Sequence, residues 1–139
     1  MQSHKDAYTQ SHLCENPNVI RDTLKKFPWA KDYLDTYEKN GLVHNRAIFG
    51  HCIHNSDSEF NRMKEKGAIF ANCPTSNNYL GSGFFKYQKA LDLDVKLALA
   101  TDWGAGNSLS MFRVMDDAYK VGMLSSFKLE PLVRWSSCT

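Results

Sequence analysis

Apolar residues in this chain gather in short runs, and each run stops at a polar residue. Ala7-Tyr8-Thr9-Gln10-Ser11 runs into His12, Ala47-Ile48-Phe49-Gly50 into His51, and Lys96-Leu97-Ala98-Leu99-Ala100-Thr101 into Asp102. A further run, Ala68-Ile69-Phe70-Ala71, ends in Asn72-Cys73-Pro74. Short apolar runs bounded by turn residues predict buried strands. The stretches between them carry apolar residues at helical spacing. Asn16-Pro17 supplies a cap and a first-turn proline, and Val19, Ile20, Leu24 and Phe27 follow as a stripe. Pro28 breaks that helix, a second piece carries Tyr33, Leu34 and Tyr37, and Asn40-Gly41 ends it. Ser56-Asp57-Ser58-Glu59 has the spacing of a capping box, and Gly67 stops the helix it opens. After the third strand the pattern predicts a polar loop and then a helix from about Phe84 to Leu91. The last helix carries Leu109, Phe112, Met115 and Tyr119 at helical spacing, expected to face the core like the other aromatic stripes.

Strand and helix thus alternate through four units, which predicts an α/β fold with a parallel sheet. In such sheets the chemistry gathers at the C-terminal ends of the strands. A closed (β/α)8 barrel needs eight units and about 250 residues. Four units in 139 residues therefore make either an open sheet or part of a barrel.

Composition narrows the function classes. The chain is 42% hydrophobic and 23% charged, the balance of a globular domain. Its 17 basic and 15 acidic residues are interspersed, so neither a nucleic-acid nor a membrane surface is signalled. No apolar run approaches the roughly 20 residues of a membrane helix, and Met1-Gln2-Ser3-His4-Lys5-Asp6 lacks the apolar segment of a secretory leader. Cys14, Cys52, Cys73 and Cys138 form no C-x-x-C pair and read as reduced thiols of a cytoplasmic protein.

His12, His51 and Asp102 all stand where a strand ends. Two imidazoles and a carboxylate collected there suit a divalent metal. Each residue also has a plainer reading. His12 can be a hydrogen-bonded histidine, Glu15 a first-turn residue complementing a helix dipole, and Asp102 a loop cap. Cys52 reads as a small packed side chain and His54 as a solvated loop residue. Gln2-Ser3-His4 repeats the tripeptide Gln10-Ser11-His12, but only His12 follows a strand-like run and precedes x-x-Glu.

The loops after the strands resemble those of the amidohydrolase superfamily. His12-Leu13-Cys14-Glu15 is similar to the H-x-x-E after the fifth barrel strand, and Gly50-His51 to the sixth-strand histidine. Asn72-Cys73-Pro74-Thr75-Ser76-Asn77 with Leu80-Gly81-Ser82-Gly83-Phe84 resembles the seventh-strand loop. Thr101-Asp102-Trp103-Gly104-Ala105-Gly106 followed by Ser108-Leu109-Ser110-Met111 resembles the eighth-strand aspartate and its loop. The last two segments are closest to the guanine deaminases within that superfamily. The resemblance covers residues 7 to 125, in order.

It implies a partial TIM (β/α)8 barrel of the metallo-dependent hydrolase type, with residues 1–125 as the C-terminal half of the barrel and 126–139 as an atypical tail. It further implies hydrolytic deamination of guanine to xanthine and ammonia by a Zn2+-activated water. His12 and Asp102 would be metal ligands, and Glu15, His51 and Asp102 catalytic: Glu15 as proton shuttle, His51 as hydrogen-bond partner of the attacking oxygen, Asp102 also as proton acceptor. His12, Glu15, His51 and Asp102 would line the substrate site, with Trp103 and Phe84 against the purine. The superfamily's H-x-H of the first barrel strand has no counterpart upstream of His12. Half a barrel leaves apolar strand edges unpaired, which predicts a homo-oligomer or dependence on the missing N-terminal half. Two alternatives stay open: an inactive fragment or interaction module, and a related amidohydrolase acting on another purine or a pterin.

Overall fold

A computed structural model describes residues 6–125. The tail at 126–139, Cys138 and the Gln2-Ser3-His4 tripeptide lie outside the described residues. The elements in order are β1 (Thr9–Leu13), α1 (Pro17–Lys26), α2 (Tyr33–Glu38), β2 (Ala47–His51), α3 (Asp57–Glu65), β3 (Ile69–Asn72), α4 (Pro74–Tyr79), α5 (Tyr87–Asp92), β4 (Lys96–Leu99) and α6 (Met111–Leu124).

The four strands form one parallel sheet in the order β1-β2-β3-β4. Spatial order equals chain order, so there is no point at which the winding reverses. A doubly wound sheet has such a point; an arc of a barrel does not. The sheet is therefore an arc of a TIM barrel, and β1 and β4 are its edges among the described residues.

The local signals act as the sequence indicates. Asn16 caps α1 through a bond from the Val19 N–H, and Pro17 sits in the first turn. Both halves of the Ser56–Glu59 capping box are formed at α3. Gly41 and Gly67 end α2 and α3 with positive φ, a conformation open to glycine at no steric cost. The core lies between the sheet and the helices. Phe60 of α3 stacks on Phe70 of β3 with centroids 4.8 Å apart, and Phe85 packs against Tyr87 at 5.0 Å. Phe49, Leu13, Leu34 and Met63 are fully buried in the same cluster.

Several expectations are corrected. The polar stretch after β3 is not a loop but the helix α4, started by Pro74 and closed by the Asn77 N–H to the Cys73 carbonyl. Helix α5 begins at Tyr87 rather than Phe84. Strand β4 stops at Leu99, before Asp102. Helix α1 buries none of its stripe completely. The buried face of α6 is Val114, Ala118 and Val121, not the stripe of Phe112, Met115 and Tyr119; Phe112 is 84% exposed. That helix is apolar on two sides, and only one of them meets its own sheet.

Candidate active site

The expected site residues converge at the C-terminal end of the sheet, from the neighbouring strands β1 and β2 and from the loop after β4, two strands from β2. His12 stands near the end of β1, where it pairs in register with Gly50. Along β1 exposure alternates: Gln10 and His12 are exposed, while Leu13 is buried toward the helices. By that alternation His51, which registers with Leu13, belongs to the helix side. Its backbone is left-handed at φ 67°, and this breaks the alternation. The His51 ring stacks on His12 with centroids 5.2 Å apart and planes 19° apart. Cys52, also left-handed, then donates its N–H to the Leu13 carbonyl at 2.9 Å, which ties the two strand ends together.

Asp102 reaches the same point from beyond β4. It too is left-handed, at φ 50°. The loop after it folds back so tightly that the Gly106 N–H bonds the Asp102 carbonyl at 2.6 Å. A Cβ on Gly106 would lie 2.1 Å from the Thr101 carbonyl oxygen, so only glycine fits there.

The polar atoms lie close together without bonding one another. His12 Nε2 is 4.0 Å from Asp102 Oδ1. His51 Nε2 is 3.8 Å from Asp102 Oδ2 and 3.9 Å from Glu15 Oε2. These separations exceed hydrogen-bond length. One ligand atom from each of His12, His51 and Asp102 lies within 4.8 Å of the other two. Imidazole nitrogen and carboxylate oxygen are donors that zinc accepts. His12 and Asp102 are the pair that would hold it, with His51 Nε2 directed at the same point. Glu15 stands beside the set: its Oε1 accepts a bond from the Ser82 hydroxyl at 3.2 Å.

The structure adds residues to which sequence reasoning gave no role. Ser82 holds Glu15, and Asn77 Oδ1 lies 2.8 Å from His51 Nδ1. Both belong to the segment after β3 that carried the family resemblance. His54 is corrected: it is not a solvated loop residue but bonds the Ser82 carbonyl through Nε2 at 2.7 Å. Cys52 is fully buried, as a packed side chain should be. Burial pushes the Cys73 thiol up to about 11, and burial with the Glu59 carboxylate raises that of Cys14, so neither thiol is poised as a nucleophile. Phe84 and Trp103 are more than half exposed.

Comparison with known proteins fits this geometry. The model of the amidohydrolase family matches residues 2–137. The chain belongs to that family. Among similar amidohydrolases, the guanine deaminase of Escherichia coli (strain K12) is 38% identical over 128 residues, covering 92% of this chain and 29% of the enzyme. The solved structure of E. coli guanine deaminase superposes with a TM-score of 0.90, covering 92% of this chain and 30% of that one. Guanine deaminase from C. acetobutylicum, solved with guanine bound in the active site, is 35% identical with a TM-score of 0.81 over 84% of this chain and 28% of its own. An adenosine deaminase from Xanthomonas campestris, solved with bound zinc, is 27% identical with a TM-score of 0.79 over 88% of this chain and 28% of its own. The amidohydrolase chain described here thus spans a little under a third of the relatives it matches.

Proposed function

We propose that this chain supplies the second half of a guanine deaminase barrel, and that the assembled site converts guanine and water to xanthine and ammonia. The convergence of His12, His51, Asp102 and Glu15 on one point carries the reading. The similarity to guanine deaminases, one of them solved with guanine, supports the substrate.

His12 and Asp102 would hold zinc, whose chemistry there is to bring the pKa of a bound water down to about 7. The chain's own residues do the rest. Glu15 is close enough to the cluster to collect a proton there and deliver it first to a ring nitrogen and then to the departing amine; Ser82 fixes one of its oxygens for that transfer. His51 hydrogen-bonds the oxygen that adds to the ring carbon bearing the exocyclic amine. Asp102 is placed to accept a proton at the same point. The net change replaces a C–N bond by a C–O bond and releases ammonia.

The sheet edges and the exposed face of α6 need covering, so we expect the working form to associate, either with a polypeptide supplying the rest of the barrel or with further copies of itself. Since the chain spans only 29% of the E. coli enzyme, the reading of an inactive fragment or interaction module is the alternative. Xanthine formation decides between them. The purified chain, with zinc and with or without a polypeptide supplying the first barrel strands, should produce xanthine from guanine, and His12→Ala should abolish it. No turnover in either form favours the fragment. Faster turnover of adenosine or a pterin than of guanine would reassign the substrate.

A further inference from the structure

Behind His51 lies a chain of buried polar groups that the reaction outlined above does not use. His51 Nδ1 is 2.8 Å from Asn77 Oδ1. Asn77 Nδ2 donates to Asn72 Oδ1 at 2.8 Å, and Asn72 Nδ2 donates to the Tyr87 hydroxyl oxygen. All four side chains are buried, with residue exposures of 4% or less. They come from β2, α4, β3 and α5, so the contact exists only in the folded sheet.

A neutral imidazole has one N–H and one bare nitrogen, and the partner of one decides the other. Since Asn77 Nδ2 gives its hydrogen to Asn72, its oxygen faces His51. An oxygen cannot donate, so Nδ1 carries the hydrogen. Nε2 is then bare, and it is the nitrogen directed at Asp102 and Glu15.

We propose that Asn77, held by Asn72 and Tyr87, is a positioning residue that fixes His51 as its Nδ1–H tautomer and presents Nε2 to the cluster as an acceptor. A bare Nε2 accepts a hydrogen bond from a water or hydroxyl there; an Nε2–H would turn that water around. The catalytic consequence rests on the deaminase reading, whereas the tautomer rests on geometry alone. The opposite sense is Tyr87 O–H to Asn72 Oδ1, Asn72 Nδ2 to Asn77 Oδ1, and Asn77 Nδ2 to His51 Nδ1. It requires all three groups to reverse together, because one reversed amide sets like against like. It would place the hydrogen on Nε2.

The test is a long-range 1H–15N correlation spectrum of the full 139-residue chain with labelled histidine, at pH 9, above the range in which imidazoles ordinarily hold a second proton. Comparison with His51→Gln assigns the His51 signals. The expected wild-type pattern is Nδ1–H. Asn77→Asp keeps an acceptor and should keep that pattern. Asn77→Leu removes the acceptor at similar volume and should shift His51 toward Nε2–H, with the other histidine signals unmoved. Nε2–H in the wild type, or Nδ1–H persisting in Asn77→Leu, overturns the proposal. If Asn77→Leu does not fold, the wild-type and Asn77→Asp spectra still decide. Turnover is not a readout, so failure of the deaminase reading would leave this result standing.

Discussion

Replacing Glu59 should loosen the loop that carries Glu15 more than any exposed substitution on the same helix. Its carboxylate is nearly buried and serves two helices at once. Oε2 accepts the Ser56 N–H at 2.8 Å and the Ser56 hydroxyl at 2.9 Å, closing the capping box of α3. Oε1 accepts the Leu34 N–H at 3.2 Å in the first turn of α2 and the Cys14 thiol at 3.6 Å, next to Glu15. In Glu59→Ala the cap contribution of about 1 kcal/mol is lost. The Leu34 N–H, in a fully buried residue, is left without its acceptor, which costs about 1–3 kcal/mol more. The total is about 2–4 kcal/mol. Glu59→Gln keeps the volume and one acceptor, but turns an N–H2 toward donors on one side, so about half that loss is expected. Urea unfolding followed by circular dichroism measures both variants, and the midpoint should move without a change in slope. A loss under about 0.5 kcal/mol in Glu59→Ala, or a Gln variant as unstable as the Ala one, would refute the double-cap argument.

Zinc at a hundredfold excess over its Kd should stabilise the fold by about 2.7 kcal/mol and raise Tm by about 10 °C; His12→Ala and Asp102→Asn should each lose most of that shift in thermal scans. Asp35 should contribute an acid limb to stability. Its carboxyl is buried, which by itself raises the pKa, but bonds from the Lys39 ammonium and the Lys31 N–H outweigh this and hold it below its ordinary 3.8. A folded-state pKa below the unfolded one gives stability that is full above 3.8 and lost as pH falls through the folded value. Asp35→Asn should therefore flatten the stability–pH curve below about pH 4, and an unchanged curve would count against the pairing. Cys14, Cys52 and Cys73 are buried with thiols raised by desolvation, so iodoacetamide at pH 8 followed by mass spectrometry should leave all three unmodified until denaturant is added.

How much of this was legible in the sequence depends on the range of each interaction. The caps were readable because Asn16 to Val19 and Ser56 to Glu59 are contacts three residues apart. The ends of β1 and β2, at Leu13 and His51, were readable to within one residue because apolar runs stop at His12 and His51. The role of Asn77 was not, since its partner His51 is 26 residues away and a buried asparagine has the same letter as one in a loop. For the same reason the segment from Pro74 to Asn77 looked like a polar loop: four polar side chains in succession follow the proline, yet Pro74 through Asn77 are buried, and α4 forms beneath the site. Periodicity also could not choose between the faces of α6. Val114, Ala118 and Val121 form one apolar stripe and Phe112, Met115 and Tyr119 another, and only the sheet decides which is covered.

The left-handed residues show what the site demands of the backbone. Cys14, His51, Cys52 and Asp102 all have positive φ without being glycine. His51 and Asp102 are members of the cluster, Cys52 follows His51 and Cys14 precedes Glu15; a fifth, Asp94, lies in the turn before β4. Such a conformation is disfavoured for L-residues, though histidine and aspartate tolerate it better than most. A strand of period two aims alternate side chains at opposite faces, so His51 on β2 and His12 on β1 would face apart if both strands ran on regularly. Turning the chain over at His51 brings its ring onto His12, and the same turn after β4 brings Asp102 to both. Replacing His51 or Asp102 by glycine would relieve the backbone while deleting the functional group. The tight loop that forbids any side chain at Gly106 and the Leu13–Cys52 bond are the local contacts that hold the two turns against that preference.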